Sequence, residues 1–129
     1  MTPSDVIKKF ESEYGTLKDK FVIHEMKVKD AYNNGSDSVN RPGIYVFWRP
    51  EDNVIKVGKS QSNSKKRSLQ HIQDNTHKGD INMNTLKEDK DATLILFNIK
   101  SDSDIHWLLS LEAYMEWNAS PAIPAGRMG

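Results

Sequence analysis

Five side chains in this sequence have the types and spacing for chemistry on a phosphate ester: Tyr45, Lys56, Arg67, His71 and Glu112. A phenol beside an ammonium group has its phenolate favoured, so Lys56 next to Tyr45 would lower the tyrosine pKa and let it take or relay a proton. Arg67 and His71 are four residues apart in SKKRSLQH, which puts them on one face of a helix. The guanidinium fork matches phosphate oxygens, and the imidazole holds or gives a proton near neutral pH. Glu112 sits in LLSLEAYMEW beside an apolar stripe, where a carboxylate needs a partner, and a hard divalent cation is one. Each residue also has an ordinary reading. Tyrosine is a common strand residue, a basic helix start is usually solvated, and most helix glutamates are surface groups. Lys59, Lys65 and Lys66 stand close to Arg67 and would form a local phosphate-binding patch whose affinity falls as salt rises. Gly58-Lys59-Ser60 looks like the end of a nucleotide-binding loop, but the first glycine of that motif is missing, which excludes it.

These groups meet only if particular elements carry them. Gly43–Trp48 and Val54–Gly58 read as two strands of a hairpin. With a four-residue loop over Arg49–Asp52, Tyr45 faces Lys56 and Trp48 faces Asn53. Ile44, Val46, Trp48, Ile55 and Val57 then share a core face, and Tyr45, Phe47, Val54 and Lys56 share the other. A one-residue slip would exchange the faces. Asn63 or Ser64 starts a helix through about Ile72, and residues 75–90, with Gly79, read as a loop holding one helical turn at most. Ala92–Ile99 is a third strand. Ser103 or Asp104 caps a last helix to about Trp117, with Trp107, Leu108, Leu111, Tyr114 and Met115 apolar. Upstream, Ser4 caps a helix to about Lys20 with a stripe of Val6, Phe10, Tyr14 and Leu17, and Phe21–Val28 reads as a short strand. The expected class is α+β, a small antiparallel sheet with helices.

The chain has 129 residues, the size of one domain, with 36% hydrophobic and 28% charged residues, enough for a modest core. It has no cysteine, which excludes disulfides and thiolate metal sites. No apolar run approaches the ~20 residues of a membrane span. The segment MTPSDVIKK lacks the apolar stretch of a secretory signal. A soluble, cytoplasmic protein is the expectation. Net charge is zero, from 18 basic and 18 acidic residues, so the global basic field common in nucleic-acid binders is absent.

Taken in order, the pieces resemble the GIY-YIG nuclease superfamily. GIY stands at Gly43-Ile44-Tyr45. The second triplet aligns with Lys56-Val57-Gly58, with ten residues between Tyr45 and Lys56, and Lys59 follows. Arg67, His71 and Glu112 then fall where the family has its helix arginine, a histidine or tyrosine, and its metal-binding glutamate. The resemblance covers about residues 42–124, and residues 1–40 stand outside it as an N-terminal helix and linker before a nuclease-like domain at 41–129. It implies a three-stranded antiparallel sheet flanked by helices and metal-dependent cleavage of DNA. Carried over, Tyr45 is the general base, Arg67 the clamp on phosphate charge, His71 an aid to proton transfer, and Glu112 the ligand of Mg²⁺ or Mn²⁺. Lys56 tunes the tyrosine, and a homodimer or partner subunit would add specificity. The sequence departs from the pattern twice. The second triplet is KVG, as in some branches, and the position of the family's later asparagine is Pro124. With the zero net charge, that proline favours the competing reading, a non-cleaving module that binds nucleic acid or protein. An enzyme acting on small phosphate esters has no visible recognition element.

Overall fold

The computed structural model describes residues 1–125. Helix α1, Pro3–Tyr14, is capped by Thr2, whose hydroxyl accepts from Asp5 N–H while the Asp5 carboxylate accepts from Thr2 N–H. The cap is two residues before the expected Ser4. The α-helix ends at Tyr14, and Gly15–Lys20 continues as a 3₁₀-helix. Strand β1, Phe21–Lys27, leads into the short α2, Val28–Ala31. Strands β2, Gly43–Arg49, and β3, Asn53–Ser60, form the hairpin. Helix α3, Ser64–Gln73, follows. The segment expected to be a loop instead holds a two-stranded hairpin, β4 at His77–Lys78 and β5 at Ile81–Asn82, and a 3₁₀-helix at Met83–Glu88. Strand β6, Thr93–Ile99, precedes α4, Trp107–Ala119. Ser101, rather than Ser103 or Asp104, caps the 3₁₀ turn before α4.

The chain is α+β, as expected, but its main sheet has four strands where three were expected. The order is β1-β6-β2-β3, every pair antiparallel. The fourth strand is β1, which lies outside the region of family resemblance. All seven residues of β6 are buried, because both faces of the sheet are covered. On one face Ile44, Val46, Val57, Ile95 and Phe97 pack against α1 and α4 through Val6, Phe10, Leu108, Leu111 and Met115. On the other face Tyr45, Phe47, Ile55, Leu94 and Leu96 pack against α2, α3 and the 83–88 helix. The face expected to be the open floor of the site is therefore a second core.

The hairpin register also differs from expectation. The loop is three residues, not four. Asp52 N–H bonds to Arg49 C=O, closing a β-turn, and Asn53 after it takes a left-handed φ of 59°. Tyr45 faces Gly58, and Lys56 faces Phe47. The displacement from the expected pairing is two residues over this stretch, an even number, so Tyr45 and Lys56 keep one face as diagonal neighbours. A second irregularity between Phe47 and Trp48 pairs Trp48 with Val54. It turns Val54 to the α1/α4 core and Ile55 to the other, the reverse of the expected sides.

Candidate active site

Strand β3 is an edge of the sheet, and the site lies along that edge. Residues 122 and 123 cover part of it, with Ala122 N–H bonding to Val54 C=O and Ile123 N–H to Ile55 C=O. Beyond them a cleft of about 240 Å³ is lined by Tyr45, Lys56, Gly58, Lys59, Arg67, His71 and Glu112. Helix α3 supplies Arg67 and His71 from one side and α4 supplies Glu112 from the other. An edge strand is the one place where side chains from both covering layers can meet.

Tyr45 is 2% exposed and stands over Gly58. A Cβ on Gly58 would lie 2.2 Å from the Tyr45 hydroxyl oxygen and 2.3 Å from Cζ, so the last residue of KVG must be glycine for the ring to lie there. Tyr45 Oη and His71 Nε2 share a 2.8 Å hydrogen bond, and His71 Nδ1 and Thr76 Oγ1 share one of 2.7 Å. Thr76 was not anticipated, yet its position follows from how α3 ends. Asn75 takes φ 50°, Thr76 N–H reaches back to His71 C=O, and Asn75 N–H bonds to Ile72 C=O. These are the two hydrogen bonds of a Schellman cap, which folds residue 76 under residue 71. The signal was an Asn two residues past the helix with Thr next to it.

The electrostatics overturn the expected tuning of Tyr45 by Lys56. Burial pushes the Tyr45 pKa up to about 12, with Arg67 lowering it and Glu112 raising it less strongly. Burial also pushes His71 down to about 4, helped by the positive charges of Arg67 and Lys56. At neutral pH the pair is a neutral phenol and a neutral imidazole. The ammonium of Lys56 is itself disfavoured by burial and answered by the carboxylates of Glu116 and Glu112. Glu116 was also missed. It is 8% exposed and its carboxylate accepts from Ala125 N–H at 3.0 Å, which ties Ala125 to α4.

Lys59 faces the α4 side and forms a 3.1 Å ion pair with Glu112. It is therefore a partner of the expected metal ligand before it is a phosphate contact. Arg67 is exposed, donates to the Gln70 side-chain oxygen at 3.2 Å, and has no carboxylate partner among the described residues. Lys65 and Lys66 do not line this cleft. Lys65 donates to Asn34 C=O at 2.6 Å, and Lys66 lies in a crevice beside Arg67. Pro124, at the family's asparagine position, is exposed.

No group of three or more His, Asp or Glu side chains among the described residues could hold a metal ion. A cation here would take the Glu112 carboxylate, waters and phosphate oxygens. That donor set fits Mg²⁺, which keeps most of its waters and is commonly held by one or two carboxylates plus a substrate phosphate. No helix among the described residues is long and apolar enough to cross a membrane. Scans of family models, curated proteins and solved structures return no match to this chain.

Proposed function

We propose that this chain is a metal-dependent endonuclease of the GIY-YIG type that hydrolyses DNA phosphodiester bonds. The observation that carries the reading is the meeting of Tyr45, Lys56, Arg67, His71 and Glu112 at one cleft, from two strands and two helices far apart in the sequence. Arg67 is an exposed cation without a carboxylate partner among the described residues; it faces the scissile phosphate and opposes the charge that grows on its oxygens. Tyr45 orients the attacking water and passes a proton to His71 as it accepts one from water. The tautomer needed has its proton on Nδ1, donated to Thr76, so that Nε2 is free to accept from Tyr45. Because burial holds Tyr45 neutral, the tyrosine acts as a relay rather than a standing base. The negative phosphate raises the proton affinity of His71 when it arrives. Lys56 keeps a positive charge near the leaving side of the cleft. Mg²⁺ or Mn²⁺ on Glu112 would supply Lewis-acid stabilisation of the departing oxygen.

The ion pair between Lys59 and Glu112 favours the second reading, a binding module that holds nucleic acid without cutting it. One experiment separates the two. Supercoiled plasmid incubated with the protein and Mg²⁺ or Mn²⁺ should be nicked or linearised, and Glu112→Ala and Arg67→Ala should each slow this by at least about 100-fold. Cleavage that survives Glu112→Ala removes the mechanism, and salt-sensitive binding without cleavage selects the module.

A further inference from the structure

On the other flank of α3 from the cleft lies a larger cavity of about 610 Å³. Its volume is in the range of pockets that enclose a small organic ligand. Tyr32, Lys66, Gln73, Asn84 and Lys87 contribute the side chains that matter, over an apolar base of Leu69 and Ile72. Tyr32 is 38% exposed, and the Lys87 ammonium lies 5.2 Å from the centre of its ring, so an aromatic ring and a cation share one wall. The side chains of Lys66, Gln73 and Asn84 make no hydrogen bond or ion pair among the described residues, which leaves them free for a ligand. No carboxylate among the described residues lines the cavity. Asp30, Asp74 and Glu88, acidic sequence neighbours of its lining residues, are not in its wall.

Most cations of the described residues have no carboxylate partner, so what marks this region is where its cations lie. Lys20, Arg41, Arg49 and Lys59 all have carboxylate partners. Arg67, Lys65, Lys66 and Lys87 have none among the described residues. These four run from the cleft to the cavity along one path. A crevice lined by Ser60, Asn63, Lys66, Arg67 and Gln70 joins the two, sharing Arg67 with the cleft and Asn63, Lys66 and Gln70 with the cavity.

We propose that this cavity is a nucleotide subsite that takes one unpaired DNA nucleotide beside the scissile phosphate. The inference rests on the cleavage reading for its choice of DNA, but its test requires no cleavage. Free amides present both a donor and an acceptor, as a base edge requires. The tyrosine ring gives a base a stacking surface once the Lys87 ammonium over its face turns to a phosphate, and the lysines track phosphates without reading sequence. A paired base cannot enter, since its edge is already engaged and its faces are stacked, so the subsite selects single-stranded, flapped or mismatched DNA.

The test is fluorescence anisotropy with the full chain in EDTA, using a labelled single-stranded DNA and the matching blunt duplex. Tyr32→Leu and Asn84→Ala should each weaken single-strand binding roughly tenfold and leave duplex binding unchanged. Lys66→Ala should reduce the salt dependence by about 0.7 in slope. Thermal melts of the variants separate misfolding from lost binding, and bromouracil in the strand should photocrosslink to the wall of the cavity. Equal affinity for the two DNAs, or crosslinks confined to the Arg67 cleft, would overturn the subsite. Tyr32-dependent binding without plasmid cleavage would uphold it while the nuclease reading fails. Cleavage with unaltered binding by folded Tyr32→Leu and Asn84→Ala would do the reverse.

Discussion

Burial holds both Tyr45 and His71 neutral, and that neutrality has a measurable consequence for folding. The unfolded histidine titrates near 6.5, and in the fold burial and neighbouring cations lower it to about 4. Between these values the unfolded chain binds the extra proton, so protonation favours unfolding. The contribution is complete above pH 6.5 and is lost as the pH falls through 4; solvent screening reduces it to about 1–2 kcal/mol. Urea unfolding at pH 7, 5.5 and 4.5 should show this loss, and His71→Gln should remove that part of it. An equal pH dependence in the variant would mean the imidazole is not held neutral. Arg67 matters twice in this account. Its charge depresses His71, and the same charge is free to meet a phosphate. Those residue types and their order are legible in the sequence. The sign of the Tyr45 shift is not, because it depends on burial, and burial depends on which layer covers the ring.

Helix α3 is the element that aims the site. Asn63 caps it by accepting from Lys66 N–H at 2.9 Å. Ser64, next in line, donates its hydroxyl to Asn98 Oδ1 at 2.6 Å, which fixes the first turn to buried β6. Asn98 in turn donates to the carbonyls of Ser38 and Val39, so this buried amide has partners for both its ends. At the far end the Schellman cap seats Thr76 beside His71. Asn63→Ala should cost about 1 kcal/mol, while Asn63→Ser restores most of it. Thermal melts of the three proteins check this, and cleavage or oligonucleotide binding by Asn63→Ala should fall with the loosened first turn. The cap and the helix were readable from Asn63 and the spacing of polar and apolar residues. The hairpin register was not, because it depends on a three-residue loop with left-handed Asn53 and a bulge that alternation alone does not signal.

At the scale of the molecule, residues 1–40 are joined to the rest by the sheet itself. Strand β1 pairs with β6 from Phe21↔Ile99 to Lys27↔Thr93, and Phe10 of α1 packs against Phe97 and Phe21 at ring distances of 4.9 and 5.3 Å. Removing that segment would leave β6 as an unpaired edge and uncover the face that carries Phe97 and Ile95. A chain starting at residue 41 should therefore lack cooperative unfolding and bind hydrophobic dyes. A sharp melt and dispersed amide spectrum from it would show that the later residues fold alone. Charge is also uneven at this scale: Arg67, Lys65, Lys66 and Lys87 line the crevice, cleft and cavity around α3, and no carboxylate of the described residues pairs with them.

The order Tyr45, Lys56, Arg67, His71, Glu112 and the α+β class could be read from composition, periodicity and spacing, since these are local properties. The meeting of those groups at the β3 edge could not, nor could the pairing of the expected strand at Phe21 with β6, the second core, the Thr76 contact or the pairing of Lys59 with Glu112. Each depends on residues far apart in the chain being brought to van der Waals or hydrogen-bond distance. Local pattern says which face a residue prefers, but only packing of the whole chain decides what covers that face, and hence whether a phenol there is charged or neutral.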